Sequence, residues 1–290
     1  MRVHLVDGTF ELFRAYHGAP PLRAPSGQEV GAVAGLLRSL AALLRQRDVT
    51  HVACAFDNPI ESFRNRLFKP YKSSAGVPEE LLAQFDQAEE ASRALGIVTW
   101  PMDEYEADDA LATAALRCAA RPEVGQVVVC SPDKDLAQVV NGERIVTFDR
   151  IRRAGRDEAG VRERFGVAPA SVPDFLALVG DGADGLPGIP RWGARSAATV
   201  LSRYGSIEAI PEDTNEWSVR PRGAEALARN LNAERDRALL YKRLATLVTD
   251  VPIAEAVGDL RWQGASRTRL ERLCATLGMG EDEVRPPGWS

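Results

Sequence analysis

The sequence predicts an α/β fold, a mostly parallel sheet flanked by helices and followed by a smaller helical region. Three observations carry this. Short apolar runs stop at aspartate in "RVHLVD" and "HVACAFD", and "QVVVCSPDKD" repeats the pattern after a Ser-Pro break. Helical stretches separate those runs. From residue 161 to 250 the helical texture continues with no convincing strand.

Taken in order, the apolar runs lack the polar alternation of a half-solvated strand, so they suit a sheet covered on both faces, which is usually parallel. Residues 30–47 and 79–95 carry apolar side chains at three- and four-residue spacing, the mark of amphipathic helices. "EADDALATAALRCAA" is a third helix, with acids in its first turn where the macrodipole favours them. Strand–helix alternation gives an α/β region over residues 1–160. "SAATVLSRYG" and "RGAEALARNLNAERDRALLYKRLATL" make a helical region of 161–250. Residues 251–290 read as a strand or turn, a short helix and a frayed "RPPGWS" end.

Composition excludes several classes. With 290 residues, 45% hydrophobic and 27% charged, the chain is ordinary for a globular protein of one large or two smaller domains. No apolar run approaches the roughly 20 residues needed to span a bilayer, and "MRVHLVDG" is too short and too soon acidic for a secretory signal. A cytoplasmic protein with no membrane partner is expected. The four cysteines are scattered without a CxxC and suit buried thiols in a reducing compartment. Only three histidines occur, which disfavours a His-rich zinc site.

In open parallel sheets, functional groups gather at the carboxyl ends of strands. Asp7, Asp57, Asp133 and Asp135 lie at such ends, and "EYEADDA" adds Glu106, Asp108 and Asp109 at a helix start. A lone aspartate after a strand is ordinarily a helix cap or turn residue. Separate segments delivering acids to one edge are another matter. Seven carboxylates in one crevice raise each other's pKa, and divalent cations resolve the repulsion. Oxygen ligands without histidine favour Mg²⁺ or Mn²⁺, and so many acids suggest two ions, the arrangement for in-line displacement at phosphate.

Residues 61–76, "ESFRNRLFKPYKSSAG", place Arg64, Arg66, Lys69 and Lys72 among Phe63, Phe68 and Tyr71. Cations for phosphates and rings for bases are what a single strand needs, although a solvated loop packing on its own aromatics has the same composition. A second notable stretch is "LVGDGADGLPGIPRWGARSAA" at 178–198. An EF-hand loop needs further acids after the glycine, ending in glutamate, and none follows. A haloacid-dehalogenase-type phosphatase needs a nucleophilic aspartate two residues before Asp7, where Leu5 stands.

Six motifs occur in a fixed order: "VDG" at 6–8, "FDNPIESFR" at 56–64, "YKSS" at 71–74, "YEADDALA" at 105–112, "SPDKDLAQ" at 131–138 and "GDGADGLPGI" at 180–189. Together they resemble the 5′-nuclease family, which includes the 5′→3′ exonuclease domains of bacterial DNA polymerase I and the flap endonucleases. The likeness covers roughly 1–250 without a polymerase region, as in a free-standing bacterial member. It implies a PIN-like, Rossmann-like catalytic domain with an arch or clamp at 61–80, then a helix–two-turn–helix DNA-binding domain. By resemblance, Asp7, Asp57, Glu106 and Asp108 hold the metal beside the attacking water. Asp133, Asp135 and Asp184 hold the second metal, while Asp109 and Asp181 act through bound water. Setting these nine acids aside turns the net charge from −5 to +4, so overall acidity does not argue against a nucleic-acid partner.

The resemblance further places Arg64 and Lys72 at the scissile phosphate, with Arg66, Lys69 and Tyr71 beside them on the strand. "GLPGIPRWGARSAA" turns into a helix start, where backbone N–H groups meet phosphate. Gly188, Ile189, Gly193 and Ser196 fall in that turn and helix start, Arg195 and Arg203 lie on the helix, and relatives often bind K⁺ there. Two departures stand out. Gly185 takes a position often held by asparagine, and Arg191-Trp192 replaces a Gly-Ile pair, which strains the turn if that glycine needs a positive φ.

The expected activity is metal-dependent cleavage of DNA at a 5′ end, flap or nick, leaving 5′-phosphates, by a monomer with a polymerase or ligase as partner. Two rivals are a PIN-type ribonuclease, disfavoured by "GLPGIPRWG", and a DNA-end-binding protein that has lost catalysis.

Overall fold

The computed structural model describes residues 1–290, the side chain of Glu281 excepted. In chain order the elements are β1 (Arg2–Asp7), α1 (Gly8–Gly18), α2 (Gly31–Leu44), β2 (His51–Asp57), α3 (Phe63–Leu67), α4 (Glu79–Leu82), α5 (Phe85–Ala94), β3 (Val98–Met102), α6 (Ala107–Ala119) and β4 (Gln126–Cys130). There follow β5 (Ile145–Asp149), β6 (Ala154–Arg156), α7 (Glu158–Phe165), α8 (Val172–Val179), α9 (Ala194–Tyr204), α10 (Ala224–Ala233), α11 (Arg235–Ala245) and α12 (Arg267–Leu277). Among the described residues no helix is long and apolar enough to cross a membrane.

The chain forms two compact units, and their bounds differ from three consecutive stretches. The first comprises residues 1–62, 73–131 and 249–290; the second comprises 63–72 and 132–248.

In the first unit four parallel strands lie in the order β3-β2-β1-β4, with Leu5 of β1 opposite Ala53 of β2 on one side and Val129 of β4 on the other. Every residue of β2 is buried, as the unbroken apolar run requires. Parallel pairing demands a crossover after each strand, supplied by α1 and α2, by α4 and α5, and by α6.

Several elements differ from the sequence pattern. The strand Val98–Met102 carries Pro101, which cannot donate to a ladder, and it sits outermost in this four-strand set, where proline is tolerated. Residues 79–95 form two helices rather than one, and the amide of Gln84 side chain bridges their junction by donating to the Glu80 carbonyl at 2.9 Å. The C-terminus is not frayed. Trp289 pairs with Ala265, the amide of Ser290 donates to the Ala265 carbonyl at 3.0 Å, and the Arg267 guanidinium stacks 4.3 Å above the Trp289 ring.

The second unit contains the antiparallel β5–β6 ribbon and helices α7 to α11. Its core joins Phe165 and Phe175, edge to face at 5.6 Å, with Trp192 and Trp217 at 6.3 Å and a shell of leucines and valines. The strong amphipathic patterns of α9 and α10 bury Val200, Leu201, Leu227 and Leu231 in it.

Candidate active site

In the first unit, five acids occupy the carboxyl rim of the parallel strands. Asp7 ends β1; its Oδ1 accepts from the Phe10 amide at 2.8 Å and so caps α1, while its Oδ2 accepts from Ser131 Oγ, just past β4, at 2.8 Å. Asp57 ends β2, and its Oδ1 accepts from the Ala107 amide at 2.6 Å, tying the strand end to the start of α6. Glu106 is buried before that helix, with Oε1 accepting from Ser62 Oγ at 2.8 Å. Asp109, fully buried, accepts from the Glu106 amide at 3.0 Å and so fixes Glu106 from behind. Asp108, half-buried, follows Ala107 in the first turn. The capping role and the rim position coexist in Asp7: one carboxylate oxygen holds the helix and the other is held by Ser131.

In the second unit, carboxylate oxygens of Asp135, Asp181 and Asp184 lie within 4.8 Å of one another, and all three residues are buried. Asp135 begins a short 3-10 helix (Asp135–Val139), and its amide donates to Asp133 Oδ1 at 2.9 Å. Burial first, then the charges of Asp133, Asp184 and Asp181, push the Asp135 carboxyl well above the usual carboxylate range. Asp135 Oδ1 has no hydrogen-bond partner although it is buried. A buried acceptor without a donor, in a nest of acids, fits the ligand set of a divalent cation. The all-oxygen donor set fits a hard cation of the Mg²⁺ type.

A loop closed by paired backbone bonds between Asp181 and Leu186, 2.7 Å in each direction, supplies the other two acids. Gly185 in this loop has φ +73, and a Cβ there would stand 2.3 Å from the Pro70 carbonyl oxygen. Glycine is therefore required by close approach, and an asparagine would displace the basic segment. That segment is stitched to the loop by the Lys72 amide, which donates to the Asp184 carbonyl at 3.1 Å, and Lys72 Nζ lies 3.9 Å from Asp184 Oδ1.

The basic segment separates into contacts the sequence does not distinguish. Arg66 and Lys69 are exposed and Lys72 is half-buried. Arg64 is 1% exposed, and its guanidinium donates to the Leu244 and Thr246 carbonyls at 2.8 and 3.1 Å, closing the end of α11. Tyr71 is 3% exposed and belongs to the core. Arg64, expected at phosphate, and Tyr71, expected beside the bases, are thus both buried here, one against backbone carbonyls and the other among apolar neighbours.

The glycine-rich turn lies between α8 and α9. Gly188 has φ +72, and a Cβ would meet the Gly180 nitrogen at 2.6 Å. Ile189 is buried, and its amide donates back to the Leu178 carbonyl at 2.9 Å, which supports the turn. Gly193 caps α9, where Ser196 Oγ accepts from the Gly193 amide at 3.0 Å, and Arg195 is exposed beside it. Arg203 is exposed and donates to Ser218 at 2.7 Å. Arg191 does adopt the left-handed backbone at φ +70, while Trp192 is buried, its indole donating to the Leu227 carbonyl at 3.1 Å. Sequence reasoning left Lys134 unassigned; its Nζ lies 2.5 Å from Asp181 Oδ1, and its place inside "SPDKD" is the signal.

A parallel sheet with acids along its carboxyl rim, followed by a helical unit with a second acidic nest, defines an α/β protein of the acidic-site class. Residues 2–166 match the family "5'-3' exonuclease, N-terminal resolvase-like domain" and residues 167–268 match "5'-3' exonuclease, C-terminal SAM fold". The chain belongs to the 5′-3′ exonuclease family. It is 37% identical over 267 residues to DNA polymerase I of Pseudomonas aeruginosa, covering 88% of this chain and 28% of that protein. It is 32% identical over 280 residues to DNA polymerase I of Bacillus caldotenax, covering 94% and 31%. The chain thus spans under a third of the length of these relatives. Among solved structures, zinc-bound T5 5′-exonuclease superposes with a TM-score of 0.68 at 18% identity, covering 98% of this chain and 96% of that one. Human GEN1 in complex with Holliday junction DNA gives 0.62 at 13% identity, covering 95% and 67%. At these identities the likeness is one of fold.

Proposed function

We propose that the chain is a divalent-metal-dependent 5′→3′ exonuclease and 5′-flap endonuclease acting on DNA and leaving 5′-phosphates. The observation that carries this reading is the buried triad Asp135, Asp181 and Asp184, with its unpartnered Asp135 oxygen and raised Asp135 carboxyl. Those three with Asp133, and on the strand rim Asp7, Asp57, Glu106 and Asp108, are the residues that would hold Mg²⁺ or Mn²⁺. Cations bound there supply Lewis acidity toward water and phosphate oxygens.

The chain's own groups do the rest. Ser131, Ser62 and the Ala107 amide fix the orientations of Asp7, Glu106 and Asp57, so these ligands are preorganised. Lys72, half-buried beside Asp184, provides positive charge for a phosphate approaching the acids, and the exposed Arg66 and Lys69 extend it. The turn at 188–196 presents the Gly193 helix start and Arg195 to a duplex backbone, with K⁺ as the expected cation there.

The test is cleavage of labelled 5′-flap DNA, nicked duplex and single-stranded RNA, each with Mg²⁺ or EDTA. Flap or nick cleavage that EDTA stops is the expected result; exclusive cleavage of RNA supports a ribonuclease instead, and binding without cleavage supports an end-binding protein. Asp108→Ala or Asp133→Ala should lower kcat by a factor of about 10³ or more without unfolding the chain. Wild-type rates in either variant contradict the assignment. Lys72→Ala should slow cleavage more than it weakens duplex binding.

A further inference from the structure

Outside the acidic site, the second unit carries a strongly basic tip on the β5–β6 ribbon. Residues 149–156 read "DRIRRAGR", four arginines against one aspartate. The antiparallel register sets Thr147 opposite Arg156 and Asp149 opposite Ala154, so residues 150–153 form the turn. That turn is held in shape: Asp149 Oδ1 accepts from the amides of Ile151 and Arg152 at 2.9 and 3.0 Å. The side chain of Arg152 is 82% exposed, with Asp149 3.8 Å away, and Arg153 is exposed at a φ of +52.

The ribbon is joined to α7. Arg156 Cγ lies 2.8 Å from where a Cβ on Gly160 would sit, so the arginine stem packs over the first turn of that helix. Further along α7, Arg162 is paired with Glu158 at 2.9 Å, whereas Arg164 is exposed with its guanidinium 4.9 Å from the Phe165 ring. Partial burial, then Arg156, then Arg152 lower the Arg164 guanidinium pKa, and Asp133 acts in the opposite direction. Arg164 on α7 is therefore within electrostatic reach of Arg156 and Arg152 on the ribbon. Gathering like charges costs free energy that a polyanion would offset.

The geometry points to Arg152, Arg153, Arg156 and Arg164 as a phosphate track that holds the backbone of the DNA substrate away from the reacting position. Guanidinium groups suit this because their planar fork donates to two phosphate oxygens at once. Several exposed cations on a ribbon tip and the adjoining helix suit a polyanion better than a single phosphate. The track rests on the nuclease reading and adds a contact to it, positioning the nucleic acid without reading its sequence.

The test is a pair substitution, Arg152→Gln with Arg153→Gln, both on exposed side chains, assayed for binding to fluorescent 5′-flap DNA in EDTA. Affinity is measured from about 50 to about 200 mM KCl, and the slope of log affinity against log salt is compared with wild type. The expected result is a slope smaller in magnitude by about two, one for each lost phosphate contact, with an unchanged thermal midpoint. An unchanged slope overturns the track. Cleavage by the wild-type chain in Mg²⁺ is scored in parallel: intact cleavage with an unchanged slope sinks the track alone, whereas absent cleavage sinks the nuclease reading. Vesicles rich in phosphatidylserine form a further arm. Arginine-dependent vesicle binding with an unchanged DNA slope overturns the proposal in favour of a lipid surface.

Discussion

The ammonium of Lys134 lies 2.5 Å from Oδ1 of Asp181, a carboxylate that is 2% exposed and forms one corner of the acidic triad. Burial works against the lysine's charge, but Asp181, backed by Asp135 and Asp133, raises Lys134 above the usual lysine range. The lysine thus neutralises part of a nest that a divalent cation would otherwise have to neutralise alone. Removing it leaves a buried carboxylate without its partner, which costs about 1–3 kcal/mol. Lys134→Met is expected to lower the thermal midpoint in EDTA and to regain more stability than wild type on adding Mg²⁺, with tighter cation binding. Equal metal responses in the two proteins, read by calorimetry, would falsify the idea that Lys134 competes for the site.

Asp135 supplies a pH prediction with a definite sign. Its carboxyl is raised well above the usual value in the folded chain, whereas in the unfolded chain it titrates near about 4. The folded state therefore binds the proton more tightly, so the stabilisation is complete below about pH 4 and fades as pH rises through the folded-state value. Urea unfolding in EDTA should show wild type losing stability relative to Asp135→Asn as pH is raised from about 4 to about 8. Added Mg²⁺ should reverse the trend, since the cation binds the ionised acid. A constant difference between the two proteins across that range would count against the charge nest.

Arg191 is one of two non-glycine residues with positive φ among the described residues, at +70, and it is exposed. The left-handed backbone costs an L residue roughly 1–2 kcal/mol, while glycine gives back about 0.5–1 kcal/mol through the entropy of its unfolded chain. Arg191→Gly should therefore stabilise the second unit by about 0.5–1 kcal/mol, seen as a higher thermal midpoint. The neighbouring Trp192 is fixed independently by its bond to Leu227 and its packing on Trp217, so the turn keeps its shape. A lower midpoint for the glycine variant would show that the arginine side chain contributes contacts of its own. Duplex binding measured alongside reports whether the added cation aids the grip.

Legibility in the sequence followed the range of the interaction. Asp7 and Asp57 are readable because they directly end apolar runs, and a strand end is a local pattern. The acids of "SPDKD" and "GDGADG" are readable through motif spacing, although only the folded loop brings Asp135, Asp181 and Asp184 within 4.8 Å. Arg64 and Lys72 look alike in sequence, both basic within one aromatic-rich segment. Arg64 is consumed by carbonyls at the end of α11, about 180 residues downstream in the chain, and no local pattern announces that. Pro101 hid the strand Val98–Met102 for the opposite reason, since a local signal against strand was overridden by an outer position in the sheet.

By itself the sequence determined the alternation of buried strands and amphipathic helices, the placement of acids at strand ends, and the glycines that turns require. These depend on periodicity and on backbone sterics, which act over a few residues. Only the tertiary structure decided which basic side chains face solvent and which close helix ends, that the C-terminal segment packs beside Ala265, and that Lys134 shares a site with Asp181. Burial and charge pairing are set by neighbours distant in the chain, and their free energies exist only once those neighbours have met.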